Sequence, residues 1–165
     1  VECLLGTGDS FGKEVAVDGS IILECDIGGP GAYWFTQVAC GCPNEIELRI
    51  MGTEGCLEWR QTRPDEVIYI KKGEAPRTLN RAGDGIDVPA GKLARVPFGH
   101  PEGYYIAIAN IYRSVISTIL KIKNGETPTE EDLDFPDVET GVSGVKFFHA
   151  VIESAHNNSK WVELD

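Results

Sequence analysis

The chain has 165 residues, 42% of them apolar, a length typical of one domain and a composition that excludes general disorder. The formal net charge is −11, and the 15 basic residues are scattered, which argues against a nucleic-acid partner because phosphate binding needs clustered Lys and Arg. We find no run of about 20 apolar residues that would span a membrane and no secretory signal, so the sequence predicts a cytoplasmic protein without a membrane partner.

The opening residues, 1–19, show neither helical periodicity nor a clean strand pattern. Because the chain starts at Val1 rather than Met, we expect residues 1–19 to be the truncated edge of one domain that spans residues 1–165. The glycines of GTGDSFG suggest a phosphate loop, but their spacing fits neither G-x-G-x-x-G nor G-x-x-x-x-G-K-S/T. The sequence therefore predicts no nucleotide site in this segment.

Short runs rich in β-forming residues then predict five strands, separated by turns that contain Gly and Pro. The predicted strands are SIILECDI (20–27), GAYWFTQVAC (31–40), EIELRIMG (45–52), GCLEWRQ (55–61) and EVIYIKK (66–72). Successive strands this close in sequence are expected to pair antiparallel, because a parallel crossover needs about a dozen residues or more. No element is predicted for the polar stretch 74–98.

Two amphipathic helices follow. Apolar residues recur every three or four positions from Tyr104 to Lys123 and predict a helix that ends at Asn124-Gly125. Its expected buried stripe is Ile108, Ile111, Tyr112, Val115, Ile119 and Ile122. Asp137 is the predicted N-cap of a second helix. The expected buried face of that helix is Val142, Val145, Phe148 and Ile152, and WVELD predicts a last short strand.

Strands followed by helices predict an α+β fold, a largely antiparallel open-faced sheet with helices packed on one face. The other face would carry apolar candidates such as Trp34, Val38, Leu48 and Ile50. Two interpretations of that face remain open. It either stays in contact with water, as antiparallel sheets allow, or forms a dimer or interdomain interface.

The cysteines give no sign of a metal site. Cys40 and Cys42 share a predicted turn, whereas the other three cysteines are isolated along the chain. A structural zinc site usually shows two ligand pairs at C-x-x-C-like spacing, so we expect reduced thiols and no bound metal.

The segment PFGHPEGYYIAIANIYRSV (97–115) is the most distinctive in the chain. A polar loop ends at His100, and Pro101 and Glu102 suit the first turn of a helix. The free N–H groups of a helix N-terminus can hold the hydroxyls or carboxylate of a polar ligand beside His100 and Tyr104. The alternative is that His100 caps the helix and Tyr104 packs.

Three separated motifs follow one another along the chain: MGTEGCLEWRQ, then PFGHPEGYYIAIANIYRSV, then DFPDVETGVSGVKFFHAVIESAHNNSKWVEL. From about Ser20 to Leu164 the chain resembles the C-terminal domain of the Gfo/Idh/MocA oxidoreductases. The resemblance implies a missing N-terminal Rossmann domain that binds NAD or NADP. It also implies a sheet that completes the substrate pocket and forms homo-oligomer contacts, and hydride transfer between the nicotinamide and a sugar, polyol or related small molecule.

The family's catalytic E-K-P and D-x-x-x-H motifs do not occur in this sequence, so no catalytic residue is assigned and the chain alone is expected to be inactive and to bind no cofactor. Gln37 and Asn44 match recurrent polar positions of the family's strand and turn. His100 and Tyr104 match its loop-to-helix junction. The resemblance implies that these four residues contact the substrate or an interface. The alternative is a noncatalytic dimerisation or sugar-binding module of the same fold.

Overall fold

The computed structural model describes residues 3–26, 28–86 and 91–164. The chain divides into two compact units, a first unit of Val1–Cys42 with Pro136–Asp165 and a second unit of Pro43–Phe135. The strands are β1 (Cys3–Asp9), β2 (Asp18–Glu24), β3 (Pro30–Thr36), β4 (Glu47–Met51), β5 (Gly55–Arg60), β6 (Glu66–Lys71), β7 (Arg77–Asn80) and β8 (Val162–Glu163). The helices are α1 (Tyr104–Lys123) and α2 (Val138–His156), with a 3-10 helix at Glu131–Leu133.

The first unit contains a four-stranded antiparallel sheet in the order β3-β2-β1-β8. Strand β1 lies inside this sheet, so the prediction that residues 1–19 hold no strand is wrong. The pattern was hidden because Gly6 and Gly8 replace side chains that would show the alternation. At Gly6 the replacement has a packing reason, since an added Cβ would lie 3.1 Å from the Val151 side chain and 3.3 Å from its carbonyl oxygen.

Helix α2 packs on β1 and β8. Its N-cap is Asp137, as predicted, and the Asp137 carboxylate accepts the backbone N–H of Thr140 at 2.8 Å. The core of the first unit is Ile21, Ala150 and Val151, with Leu23, Phe35, Phe147, Val162 and Leu164 packed against it.

The predicted buried face of α2 is wrong, because Val142, Val145, Phe148 and Ile152 are all exposed. The buried side of α2 instead contains Ala150, Val151 and Ser154. The hydroxyl of Ser154 accepts the N–H of Gly6 at 2.9 Å and donates to the carbonyl of Lys160 at 2.6 Å. Small residues at this contact let the helix approach the strand closely.

The second unit contains another four-stranded antiparallel sheet, in the order β4-β5-β6-β7. The expected pairing of segments 31–40 and 45–52 is therefore wrong, because β3 and β4 belong to different sheets. Strand β7 also lies in the stretch for which no element was predicted. Since both sheets are antiparallel and α2 covers one of them, the α+β class is confirmed.

The strand register gives the second sheet one mainly apolar face and one mixed face, on which Met51, Cys56, Ile68 and Ile70 accompany charged and polar residues. The mainly apolar face presents Leu48, Ile50, Leu57, Trp59, Val67, Tyr69 and Leu79, together with Arg77 opposite Tyr69. On the opposite face, Arg49 pairs with Glu58 and Arg60 pairs with Glu47 across β4 and β5, each at 2.9 Å.

Helix α1 has the predicted bounds and ends at Asn124, with Gly125 at φ 78°. The predicted buried stripe of α1 is wrong, since every member except Val115 is exposed. The helix instead turns polar side chains toward its neighbours. Asn110 donates to the carbonyl of Leu93 at 2.9 Å, and Thr118 donates to the carbonyl of Asp132 at 2.7 Å.

By length and composition, α1 is the one helix among the described residues that could cross a membrane, a feature the sequence analysis overlooked. This is weak support for a span, because helices of soluble proteins pass the same test. Arg113 lies near the middle of α1, where a charged side chain in a bilayer costs about 2.5–3.5 kcal/mol or more.

Candidate functional site

The four predicted contact residues fall in both units. Gln37 directly follows β3 in the first unit, where its side chain is exposed and its N–H donates to the carbonyl of Val17 at 2.8 Å. Asn44 is exposed in the loop before β4, in the second unit. His100 and Tyr104 lie together at the loop-to-helix junction of the second unit. Gln37 and Asn44 lie in other segments of the chain. The roles of all four residues stay predictions.

The start of α1 differs from the prediction. The N-cap is Gly103, which has no side chain to accept a hydrogen bond, and the helix begins at Tyr104. Pro101 and Glu102 therefore precede the first turn, and the alternative that His100 caps the helix is wrong. The imidazole of His100 is exposed, and Tyr104 is 66% exposed. Both polar side chains are thus accessible at the surface of the second unit.

The loop that leads into this junction, residues 93–103, is held by Arg81. The Arg81 Nε donates to Asp65 at 2.7 Å. One terminal nitrogen of the same guanidinium donates to the carbonyl of Val96 at 3.0 Å, and the other donates to the carbonyl of His100 at 2.5 Å. One side chain therefore fixes the main chain at two points of the loop, and one of these points is His100 itself.

Glu102 completes the arrangement from inside the loop. Its side chain is only 5% exposed and lies 3.3 Å from Arg81. The Glu102 carboxylate accepts the backbone N–H groups of Arg95 and Val96, while the N–H of Glu102 donates to Asp65 at 3.1 Å. We refer to Asp65, Arg81 and Glu102 as the clamp.

Sequence reasoning missed the clamp. Asp65 lies in the turn between β5 and β6, and Arg81 lies in the turn after β7, 16 residues away. Glu102 was considered only for the first turn of a helix. No spacing rule relates three charges on three separate loops, so the sequence carried no signal for their assembly.

The groups whose pKa values are shifted lie outside the clamp. Lys121 donates to both carboxylate oxygens of Asp132 at 2.6 and 2.7 Å, and this contact, with the N–H and hydroxyl of Thr129, lowers the pKa of Asp132 to about 2. The same pair raises the pKa of Lys121. Hydrogen bonds from Thr140 lower the pKa of Asp137 at the start of α2.

The described residues do not fit a dinucleotide site at GTGDSFG. That segment contains most of β1 and continues into an antiparallel hairpin with β2, whereas the dinucleotide fold needs a strand, a glycine turn and a helix N-terminus. Among the described residues there is likewise no group of three His, Cys, Asp or Glu side chains that could hold a metal ion. Cys25, Cys40, Cys42 and Cys56 are free thiols.

Concave surfaces exist in each unit. In the first unit an open groove of about 730 Å³ follows α2 and β8 and is lined mainly by apolar side chains such as Val142, Val145 and Val162. In the second unit a polar recess of about 250 Å³ lies between the turn after β7 and Phe98. Phe98 belongs to the clamped loop, so this recess adjoins the segment that carries His100.

Comparison with known proteins identifies the fold. Residues 12–164 match the family described as "Oxidoreductase family, C-terminal alpha/beta domain". The chain belongs to this family. The resemblance to the C-terminal domain of the Gfo/Idh/MocA oxidoreductases, which was drawn from the three motifs, is thereby confirmed.

Relatives of the family differ in length from this chain. An uncharacterized oxidoreductase, YfiI of Bacillus subtilis strain 168, is 28% identical over 144 residues, which cover 87% of this chain and 37% of YfiI. An oxidoreductase from Sinorhizobium meliloti has a TM-score of 0.88 at 33% identity, over 98% of this chain and 46% of that one. An inositol dehydrogenase homolog from Azotobacter vinelandii, complexed with NAD+, has a TM-score of 0.92 at 25% identity, over 98% and 42%. The chain therefore spans less than half the length of these relatives.

Proposed function

We propose that this chain is the substrate-side, C-terminal domain of an oxidoreductase that transfers hydride between NAD or NADP and a sugar, polyol or related small molecule. The observation that carries the proposal is the match of residues 12–164 to an oxidoreductase C-terminal domain. The relative complexed with NAD+ is an inositol dehydrogenase homolog, which supports both the cofactor class and the substrate class. A separate N-terminal nucleotide-binding domain would supply the cofactor.

In this proposal His100 and Tyr104 contact the hydroxyl groups of the substrate. An imidazole offers one donor and one acceptor in its neutral form, and a phenol can both donate and accept, so both suit a ligand rich in hydroxyls. Both side chains are exposed at the junction. Gln37 and Asn44 are proposed as further contacts to the substrate or to an interface. The role proposed for this chain is thus binding and orientation of the substrate, because the family's catalytic E-K-P and D-x-x-x-H motifs do not occur in its sequence.

The first experiment is to read the coding sequence upstream of Val1. We expect a strand, a G-x-G-x-x-G turn and an E-K-P motif there. The protein that carries this domain is then assayed for production of reduced nicotinamide with myo-inositol, D-glucose, D-xylose and sorbitol, each with NAD+ and NADP+. Activity with at least one pair supports the proposal. An upstream sequence without a dinucleotide fold, or no turnover with any pair, would overturn it.

A matched pair of variants tests the contact residues. His100→Ala should raise KM or lower kcat for the active substrate without unfolding the protein, because an exposed imidazole has little structural role. His156→Ala, at the exposed end of α2, serves as the control and should leave both constants unchanged. Equal kinetics for the two variants would remove His100 from the proposed site.

We also propose that the protein forms a homo-oligomer through an open sheet face. The alternative function, a noncatalytic dimerisation module of the same fold, would use the same face. Leu48 and Ile50 are 52% and 56% exposed on the mainly apolar face of the second sheet, and a contiguous apolar face of this kind marks an interaction surface. Ile50→Asp should dissociate the oligomer in sedimentation, whereas Thr78→Asp, on the opposite face of the same sheet, should not. A strict monomer at high concentration would contradict this assignment.

A further inference from the structure

We propose that Arg81 is a positioning residue, which together with Asp65 and Glu102 fixes the main chain of loop 93–103 and thereby sets the place of His100 on the substrate side. The ordering of the loop follows from the geometry of the clamp alone. The purpose given to that order, substrate binding through His100, rests on the proposed function.

The clamp satisfies backbone groups that have no partner in a helix or sheet. The N–H groups of Arg95, Val96 and Glu102 donate to the carboxylates of Glu102 and Asp65. The carbonyls of Val96 and His100 accept from Arg81. Backbone groups withdrawn from water need such partners, and hydrogen bonds to charged groups are about twice as strong as those between neutral groups. An irregular loop is thus held by contacts stronger than those of an ordinary turn.

The geometry requires arginine in particular. The guanidinium presents five N–H donors in a rigid planar fork, and at position 81 these donors reach a carboxylate on one side and two loop carbonyls on the other. A lysine would supply a point charge with a flexible stem. It would keep one ion pair and lose the simultaneous hold on Val96 and His100.

Arg81 is itself anchored to the second sheet. Its N–H donates to the carbonyl of Asp65 at 2.8 Å, and the turn that follows it closes with a 2.9 Å hydrogen bond from Gly83 to Asn80. The next residue, Ala82, has φ 56°, an uncommon conformation for a residue with a side chain, which persists only where the surroundings determine it. The clamp therefore transmits the rigidity of β6 and β7 to the loop that carries His100.

The charge balance explains why the cation is the critical member. Arg81 lies between two carboxylates, and Glu102 is almost fully buried. Removing the cation leaves a buried carboxylate without its ion pair, which is strongly unfavourable. Exposing Glu102 to water relieves this cost, and that movement releases the N–H groups of Arg95 and Val96 together with the carbonyl of His100.

The experiment uses the protein that carries this domain and compares Arg81→Gln and Arg81→Lys with Arg63→Gln. Arg63 is the matched control because its side chain is 75% exposed and pairs with Glu66 only at 3.7 Å, a contact of little worth. Hydrogen exchange is followed by mass spectrometry on peptides from 93–103 without substrate. Peptides from β4 and β5, in the same unit as Arg81, report whether a variant has unfolded that unit as a whole.

We expect exchange in 93–103 to accelerate by about tenfold or more in Arg81→Gln, less in Arg81→Lys, and not at all in Arg63→Gln, with β4 and β5 unchanged in all three. Kinetics are measured with whichever of myo-inositol, D-glucose, D-xylose and sorbitol the unaltered protein oxidises fastest. In Arg81→Gln, KM for that substrate should rise by about tenfold while kcat changes by less than about twofold. The reason is that a displaced contact residue weakens binding before it affects the reacting atoms.

Unchanged exchange in Arg81→Gln would overturn the clamp. Faster exchange with an unchanged KM would overturn the positioning role, since an ordered loop would then have no part in binding. If Arg81→Gln does not fold, Arg81→Lys gives the same two comparisons. Absence of turnover in the unaltered protein would refute the proposed function, while the exchange data would still decide whether Arg81 orders the loop.

Discussion

Replacing Ser154 with Ala gives the sharpest test of how the first unit is held together. Ser154 is completely buried, and its hydroxyl joins three segments, because it accepts the N–H of Gly6 in β1 and donates to the carbonyl of Lys160 beyond the end of α2. The substitution removes the hydroxyl and adds nothing in its place. Both backbone groups then lose this partner, the N–H of Gly6 at a buried contact and the carbonyl of Lys160 at a part-buried one.

The magnitude follows from two hydrogen bonds and one opposing effect. A buried polar group left without a partner costs about 1–3 kcal/mol. Alanine offsets part of this loss, since it is favoured over serine in a helix by a few tenths of a kcal/mol, about 0.5 at most. The buried N–H of Gly6 carries the full cost and the part-buried carbonyl of Lys160 only part of it, so after the alanine term we expect the free energy of unfolding to fall by about 1–4 kcal/mol.

Urea unfolding followed by circular dichroism measures this change, with Ser143→Ala as the control. Ser143 lies on the same helix but is exposed, so its replacement carries the same propensity term without the buried hydrogen bonds. Ser143→Ala should be neutral or slightly stabilising. A difference between the two variants below about 0.5 kcal/mol would show that the Ser154 hydroxyl does not hold β1 to the helix.

Three further predictions follow from the same geometry. Gly6→Ala should lower the free energy of unfolding by about 1–3 kcal/mol because its Cβ would crowd α2, whereas Gly144→Ala, with nothing within 4 Å, should raise it by about 0.5–1 kcal/mol in the same urea titration. Because the pKa of Asp132 is lowered to about 2, its ion pair stabilises the fold above pH about 4, and this contribution is lost as the pH falls from about 4 toward 2. Thermal melts of Asp132→Asn should lack this part of the acid dependence. An acid profile identical to that of the unaltered protein would contradict the assignment. Asp137→Ala should cost about 1 kcal/mol through loss of the N-cap, while Asp137→Asn, which still accepts from Thr140, should keep most of the stability measured by urea.

The helices show how far periodicity alone carries a prediction. The bounds of α1 and the N-cap of α2 were predicted correctly, because a repeat of three to four residues and a capping side chain are local properties of the sequence. The buried faces were predicted wrongly for both helices. Periodicity shows that a helix has an apolar side, but it does not say what packs there, and in this chain α2 buries Ala150, Val151 and Ser154 instead.

The strands fail for a different reason. Strand β1 escaped prediction because glycines interrupt its alternation, although Gly6 is there to admit α2. The expected pairing across residues 37–46 failed because closeness in sequence favours a hairpin without requiring one. The other expected antiparallel pairs, β2 with β3, β4 with β5 and β5 with β6, are those observed.

The sequence by itself determined the α+β class, the bounds of α1, the start of α2 and the family, because each depends on local patterns or on the order of three motifs. Only the tertiary structure decided which residues meet. It brings Asp65 to Glu102 across 37 residues and Gly6 to Ser154 across 148. The physical reason is that such contacts depend on the path of the folded chain, and short polar side chains far apart in sequence carry no mark of their partners until that path places their donors and acceptors within hydrogen-bonding distance.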